Sequence, residues 1–168
     1  GKILEEIENH PTKLYFHHYR APNQMLDQIA LIIASFIEKK GFNALPIPAS
    51  QIIDWEKQLG VASHKEVAYL AGIGWIGQNN LLVNKNFGAQ IRLTTIFTDM
   101  PLKSDKPVKE SCLKCGICIE ACPAKAIRQD KNDFEHIKCF EKLKEFRSAG
   151  YTDQFICGIC QKVCKGPK

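Results

Sequence analysis

The first 111 residues of this 168-residue chain contain no cysteine. A small disulfide-stapled scaffold spreads its cysteines along the chain, so that class is excluded. Long apolar runs are missing as well. The longest, Ile29–Ile37, is broken by Ser35 and is too short to cross a bilayer. No basic leader with an apolar core and a small-residue cleavage site opens the sequence. These features lead us to expect a protein of the reducing cytoplasm with no membrane partner. An excess of one charge is also lacking: 23 Lys and Arg face 18 Asp and Glu, a net of +5. The lysines are scattered among carboxylates, with no basic stripe interleaved with aromatics, which argues against a nucleic-acid partner. At 45% hydrophobic and 24% charged, the composition excludes a disordered or collagen-like chain.

What the first two-thirds lacks, the last third concentrates. All eight cysteines fall between Cys112 and Cys164, in the order Cys112-x2-Cys115-x2-Cys118-x3-Cys122-Pro123, then Cys139, then Cys157-x2-Cys160-x3-Cys164. The first run has the spacing of a bacterial ferredoxin that holds cubane iron–sulfur clusters. Zinc knuckles instead pair two CxxC units across a longer gap. Three thiols two residues apart can curl a loop around three corners of a cube, with Gly116 relieving crowding near the sulfides. The fourth thiol then points towards the other cluster, and Pro123 is suited to open a helix after it. The assignment that follows is Cys112, Cys115, Cys118 and Cys164 on one [4Fe–4S] cluster. Cys122, Cys139, Cys157 and Cys160 take the other.

The charge then has a local meaning. Residues 1–108 carry 11 basic and 10 acidic side chains, and residues 109–168 carry 12 and 8. Each cubane with its four thiolates contributes about −2, so the excess lysines read as compensation for buried cluster charge.

Residues 1–108 read as an α/β layer followed by the cluster domain over residues 109–168, with Pro101–Pro107 as linker. The fold class expected is α+β. Asn23 is expected to cap a helix carrying Met25, Leu26, Ile29, Ile32, Ile33 and Phe36, stopped by Gly41. Ser50–Gly60 reads as a second helix, with Asp54 and Glu56 flanking Trp55 on a solvated face. Ser63-x-x-Glu66 reads as the capping box of a third. Leu14–Tyr19, Ala44–Ile47, Leu81–Val83 and Ile91–Asp99 read as strands. On the first of these, His17 and His18 would face opposite sides. His64 falls in a helix first turn, where a structural role is expected.

Gly72-Ile-Gly74-Trp-Ile-Gly77 matches the dinucleotide-binding fingerprint, but it follows a helix and precedes a strand, the reverse of what that fingerprint requires. Two readings remain: a tight helix-to-strand turn packed under Trp75, or a loop that touches a cofactor.

Taken with Ser63-His-Lys-Glu-Val-Ala-Tyr-Leu-Ala-Gly-Ile-Gly-Trp-Ile-Gly77, Leu81-Leu-Val-Asn84, Phe87-Gly88 and Thr98-Asp99-Met-Pro101-Leu102, the cysteine pattern resembles the epoxyqueuosine reductase family over roughly residues 47–164. The wider group includes the reductive dehalogenases. The resemblance implies a trimmed nitroreductase-like layer holding a base-off corrinoid (cobalamin), with contacts at Gly72, Gly74, Trp75, Gly77 and Asn79. Electrons would pass from the distal cluster to the proximal one, then to cobalt, then to a small or nucleoside-like substrate. The donor would be a protein such as a flavodoxin or ferredoxin. Gln58 stands where the family's reductases carry a catalytic aspartate, and Gln78 where a lysine is usual. A two-cluster electron carrier serving a partner enzyme, without corrinoid, is the alternative.

Overall fold

The computed structural model describes residues 2–112 and 115–166. A 3-10 turn over residues 2–6 leads into the long helix α1, Lys13–Lys39. Thr12 caps it, its Oγ1 accepting from Tyr15 N at 3.1 Å. Buried Tyr15, Phe16, Asn23, Ala30, Ala34 and Ile37 recur at helical spacing along this helix. The strand expected over Leu14–Tyr19 is therefore the first two turns of α1. The misreading came from the aromatic run and from Pro22, which the helix accommodates in its interior. His17 and His18 both lie exposed on α1.

Strand β1, Ala44–Ile47, pairs antiparallel with β4, Thr95–Thr98, in the register Ala44↔Thr98 to Ile47↔Thr95. Only this end of the expected Ile91–Asp99 strand joins a ladder. The second helix, α2, spans His64–Leu70 and leads into a hairpin of β2, Trp75–Ile76, and β3, Leu82–Val83. Ser63 sits at the N-cap but makes no side-chain capping bond. His64 fixes the start of α2 instead. Its Nδ1 lies 2.7 Å from Thr95 Oγ1, and its Nε2 lies 2.8 Å from Pro48 O.

Ser50–Gly60 is not helical. Asp54 and Leu59 form an isolated bridge, Asp54 Oδ1 accepts from the amides of Glu56 and Lys57, and Gln58 adopts φ 55°. Gln51 spans the loop by bonding Val61 N and Ala62 O. These local side-chain bonds outcompete a helix whose apolar residues, including Ile53 and Trp55, stay exposed.

The cysteine-bearing part adds α3, Ile117–Ala121, α4, His136–Ser148, and α5, Ile159–Val163, with α3 packed on α5. Pro123 does not open a helix. It lies in a tight turn in which Lys125 N donates to Cys122 O and Lys125 takes φ 51°. Packing runs across position 108. Leu4, Ile7, Tyr15 and Phe16 share a core with Phe146, Ile156 and Ile159, and Ile7 is fully buried. Among the described residues no helix is long and apolar enough to cross a membrane.

Candidate metal centres

The two short helices α3 and α5 start identically. Each begins within a Cys-Gly-Ile-Cys segment, at the isoleucine, with the glycine, Gly116 or Gly158, as a left-handed N-cap at φ 73° or 82°. That turn separates two thiols and brings the next onto the helix: Cys115 from Cys118, and Cys157 from Cys160. No described protein atom lies within 4 Å of a notional Cβ on Gly116, so among protein groups its conformation alone calls for glycine. Gly158 has both demands, since a Cβ would come within 2.7 Å of Ile7 and 2.8 Å of Tyr15.

Four thiols, those of Cys112, Cys115, Cys118 and Cys164, line one cavity of about 470 Å³. The other four, of Cys122, Cys139, Cys157 and Cys160, line a second of about 490 Å³. The chain thus crosses over: Cys164 leaves its neighbours for the first cavity, and Cys122 leaves its own run for the second. Among the described residues no three Cys, His, Asp or Glu side chains close on a point that a single ion would fill. The thiols ring cavities, as donors to a multi-atom cluster do.

Burial pushes the Cys118 and Cys139 thiols up to about 11 and Cys157 up to about 12. Cys160 and Cys164 are raised too, again chiefly by burial. Neighbouring cysteines of the same set add to each rise, except that for Cys160 the set is joined by Cys118. Such thiols lie idle as free acids and release their protons to solvent only when a cationic core binds, so the donor set fits iron–sulfur clusters.

Beyond its thiols, the walls of the second cavity include Leu81, Leu82 and Leu93 and the polar groups of Lys65, Asn79, Asn80 and Arg92, with no carboxylate among the described lining residues. Burial holds Lys65 below the ordinary lysine range, and its ammonium donates to Asn80 O at 3.1 Å. Arg92 donates twice to Asn23 Oδ1, at 3.0 and 2.6 Å, and lies 4.2 Å from the Tyr19 ring centre. Burial alone would raise Tyr19, but Arg92 and hydrogen bonds from Ser50 and Asn23 leave it lowered. This mixed apolar and cationic wall suits one side of a large amphiphilic cofactor.

The five candidate corrinoid contacts are not gathered there. Only Asn79 reaches this wall, and it lines both cavities; Trp75 lines the first. Gly72, Gly74 and Gly77 line neither. A Cβ on Gly72 would meet Lys106 O at 2.6 Å, and one on Gly74 would meet Val83 O at 2.2 Å. On Gly77 it would meet Val83 Cγ2 at 2.7 Å. Lys65, Arg92 and Tyr15, which our reading of the sequence did not single out, line the second cavity. Lys65 sits in the quoted Ser63–Gly77 motif, whereas nothing near Arg92 or Tyr15 signalled a site. Gln58 lies outside both cavities, its side-chain amide donating to Trp55 O at 2.5 Å. Gln78 is buried and donates to Gln129 O at 2.9 Å.

The crossover of thiols between two cavities defines a two-cluster iron–sulfur protein of ferredoxin type, and residues 111–166 match the 4Fe-4S double cluster binding domain. Within that class, the chain is a homologue of the epoxyqueuosine reductases. It is 35% identical over 103 residues to the one from Leadbetterella byssophila, covering 56% of this chain and 33% of that protein. With the Bacillus cereus enzyme it shares 32% over 147 residues, 82% of this chain and 36% of the relative. A tetrachloroethene reductive dehalogenase of Desulfitobacterium hafniense is 35% identical over 137 residues, 78% of this chain and 23% of the relative. The chain thus spans about a third of the epoxyqueuosine reductases it matches.

Solved structures share the fold. Epoxyqueuosine reductase from Streptococcus thermophilus superposes with a TM-score of 0.61 at 23% identity, over 95% of this chain and 43% of its own. An epoxyqueuosine reductase crystallised with an epoxyqueuosine-modified tRNA stem loop gives 0.64 at 24% identity, over 87% of this chain and 40% of its own. That neighbour binds RNA, which stands against the expectation, drawn from charge, of no nucleic-acid partner.

Proposed function

We propose that this chain is the electron-delivering core of an epoxyqueuosine-reductase-like oxidoreductase. One observation carries the reading: eight thiols fall into two sets of four that interleave in sequence, each around its own cavity. Cys112, Cys115, Cys118 and Cys164 ligate one [4Fe–4S] cluster, and Cys122, Cys139, Cys157 and Cys160 ligate the other. Residues 109–168 form the cluster module. Residues 1–108, read as a trimmed nitroreductase-like layer, cover it and supply the far wall of the second cavity.

On this reading Asn79, Lys65 and Arg92 would hold a corrinoid against that wall. When bound, it would supply a low-potential cobalt centre for reducing the substrate. The chain's own residues position it and deliver electrons. Tyr15, seated on the Gly158 backbone with its hydroxyl 3.3 Å from Gln161 Oε1, keeps water from one side of the second thiol set. An electron-donor protein of flavodoxin or ferredoxin type serves the first cluster, whose Cys115 is exposed. The substrate class is a modified nucleoside, free or within RNA.

The test is anaerobic reconstitution followed by incubation with cob(II)alamin. Stoichiometric retention with a changed Co(II) EPR spectrum supports the corrinoid reading. Two clusters without retained corrinoid would favour the carrier that serves a partner enzyme.

A further inference from the structure

Trp75 carries a polar atom that nothing in the fold uses. The residue is 5% exposed, and its indole Nε1 is buried with no hydrogen-bond partner among the described residues. A buried donor without an acceptor is costly, and one in a native core calls for an explanation. Trp75 lines the cavity of Cys112, Cys115, Cys118 and Cys164, and it belongs to a buried group against which Cys112 and Cys164 pack. The backbone gives the direction. Trp75 pairs with Val83, and the ladder continues through Gly77 N donating to Leu81 O at 2.9 Å. Residues 75 and 77 therefore share a face of the hairpin. A Cβ on Gly77 would lie 3.4 Å from Cys112 Sγ, so that face is turned to the thiols.

We infer that the indole N–H of Trp75 donates a hydrogen bond to a sulfur of the cluster held by Cys112, Cys115, Cys118 and Cys164, and so raises that cluster's reduction potential. The inference rests on the ligand assignment proposed above. A thiol sulfur is a weak acceptor, but an iron-bound thiolate or a sulfide is a strong one, so loading the site creates the missing partner. Reduction makes the cluster more negative and strengthens the bond, and hydrogen bonds to sulfur are among the factors that set such potentials. Among the described residues no tryptophan lines the second cavity, which makes Trp75 a means of setting the two centres apart.

The direct test keeps Trp75 in place. The chain has two tryptophans, so Trp55→Phe leaves one, which can be labelled with indole 15N. Electron–nuclear double resonance on the reduced, reconstituted protein should show a coupled indole 15N and an exchangeable proton. Both should belong to the signal that Cys164→Ala abolishes. In parallel, Trp75→Phe should lower the potential of that cluster alone. Absence of the coupling, a coupling to the other cluster, or an unshifted potential in a Trp75→Phe protein that keeps both clusters would overturn the inference. A chain that holds fewer than two clusters would instead overturn the assignment beneath it, and the inference with it.

Discussion

Gly116 and Gly158 occupy equivalent places in the two halves of the cluster module, at φ 73° and 82°, yet their surroundings differ. No described protein atom crowds Gly116, whereas Gly158 is roofed by Ile7 and Tyr15 from the N-terminal segment. Alanine at either position pays the left-handed cost of about 1–2 kcal/mol. Gly158→Ala must also displace two side chains of the shared core. Chemical denaturation should therefore show Gly116→Ala destabilised by about that amount and Gly158→Ala by clearly more. Equal losses would mean that the N-terminal segment does not seat on the module.

Interleaved ligation makes an unusual prediction for single cysteine variants. Cys164 stands four residues after Cys160, yet its removal should spare the cluster that Cys160 holds. Cys164→Ala and Cys139→Ala should each abolish or degrade one EPR signal, and not the same one. If both remove the same signal, the two sets have been divided wrongly.

Lys65 is half-buried against the second cavity, and the carboxylate that acts on its ammonium is that of the exposed Glu66. A positive charge there favours the more negative, reduced cluster. Lys65→Gln should lower the potential of the Cys122/Cys139/Cys157/Cys160 cluster and leave the other unchanged. Potentiometric titration followed by EPR measures both.

Asp99 closes the end of the β1–β4 ladder by accepting from Asn43 N at 2.7 Å and Asn43 Nδ2 at 2.6 Å. These bonds hold its carboxyl below the usual 3.8. A lowered folded value means that its contribution is in full force above the unfolded value and fades as pH falls through the folded one. The gap in denaturation midpoint between native chain and Asp99→Ala should be constant near neutrality and shrink as pH drops below about 4. A gap that persists at lower pH would assign the loss to packing.

How much of this was legible in the sequence varies with the range of the forces involved. Each cysteine run was legible because ligand spacing over three or four residues is local, whereas the joining of Cys164 to the first run and of Cys122 to the second was expected from the two-cluster ferredoxin pattern and is part of the proposal. Ala44–Ile47 and the start of α2 were legible for the same reason. Helix α1 was missed over Leu14–Tyr19 because Pro22 reads as a breaker, while the Thr12 cap and the partners of Tyr15 and Phe16 lie outside any local window. The Ser50–Gly60 loop was misread because Gln51 and Asp54 satisfy backbone amides that a helix would otherwise claim. Pro123 was placed in a helix on its preference for a first turn, where the chain makes a turn over the Cys122 carbonyl. The walls of the second cavity were the least legible. Tyr15, Lys65 and Arg92 meet there from three distant segments, and their types alone name no site.

The central claim is that this chain holds two cubane clusters in two interleaved thiol sets. The most direct measurement is iron and acid-labile sulfide analysis, with visible and EPR spectra, on anaerobically prepared protein. The account predicts about eight irons and eight sulfides per chain, with two reducible centres. About four irons, or stoichiometric zinc without sulfide, would contradict it.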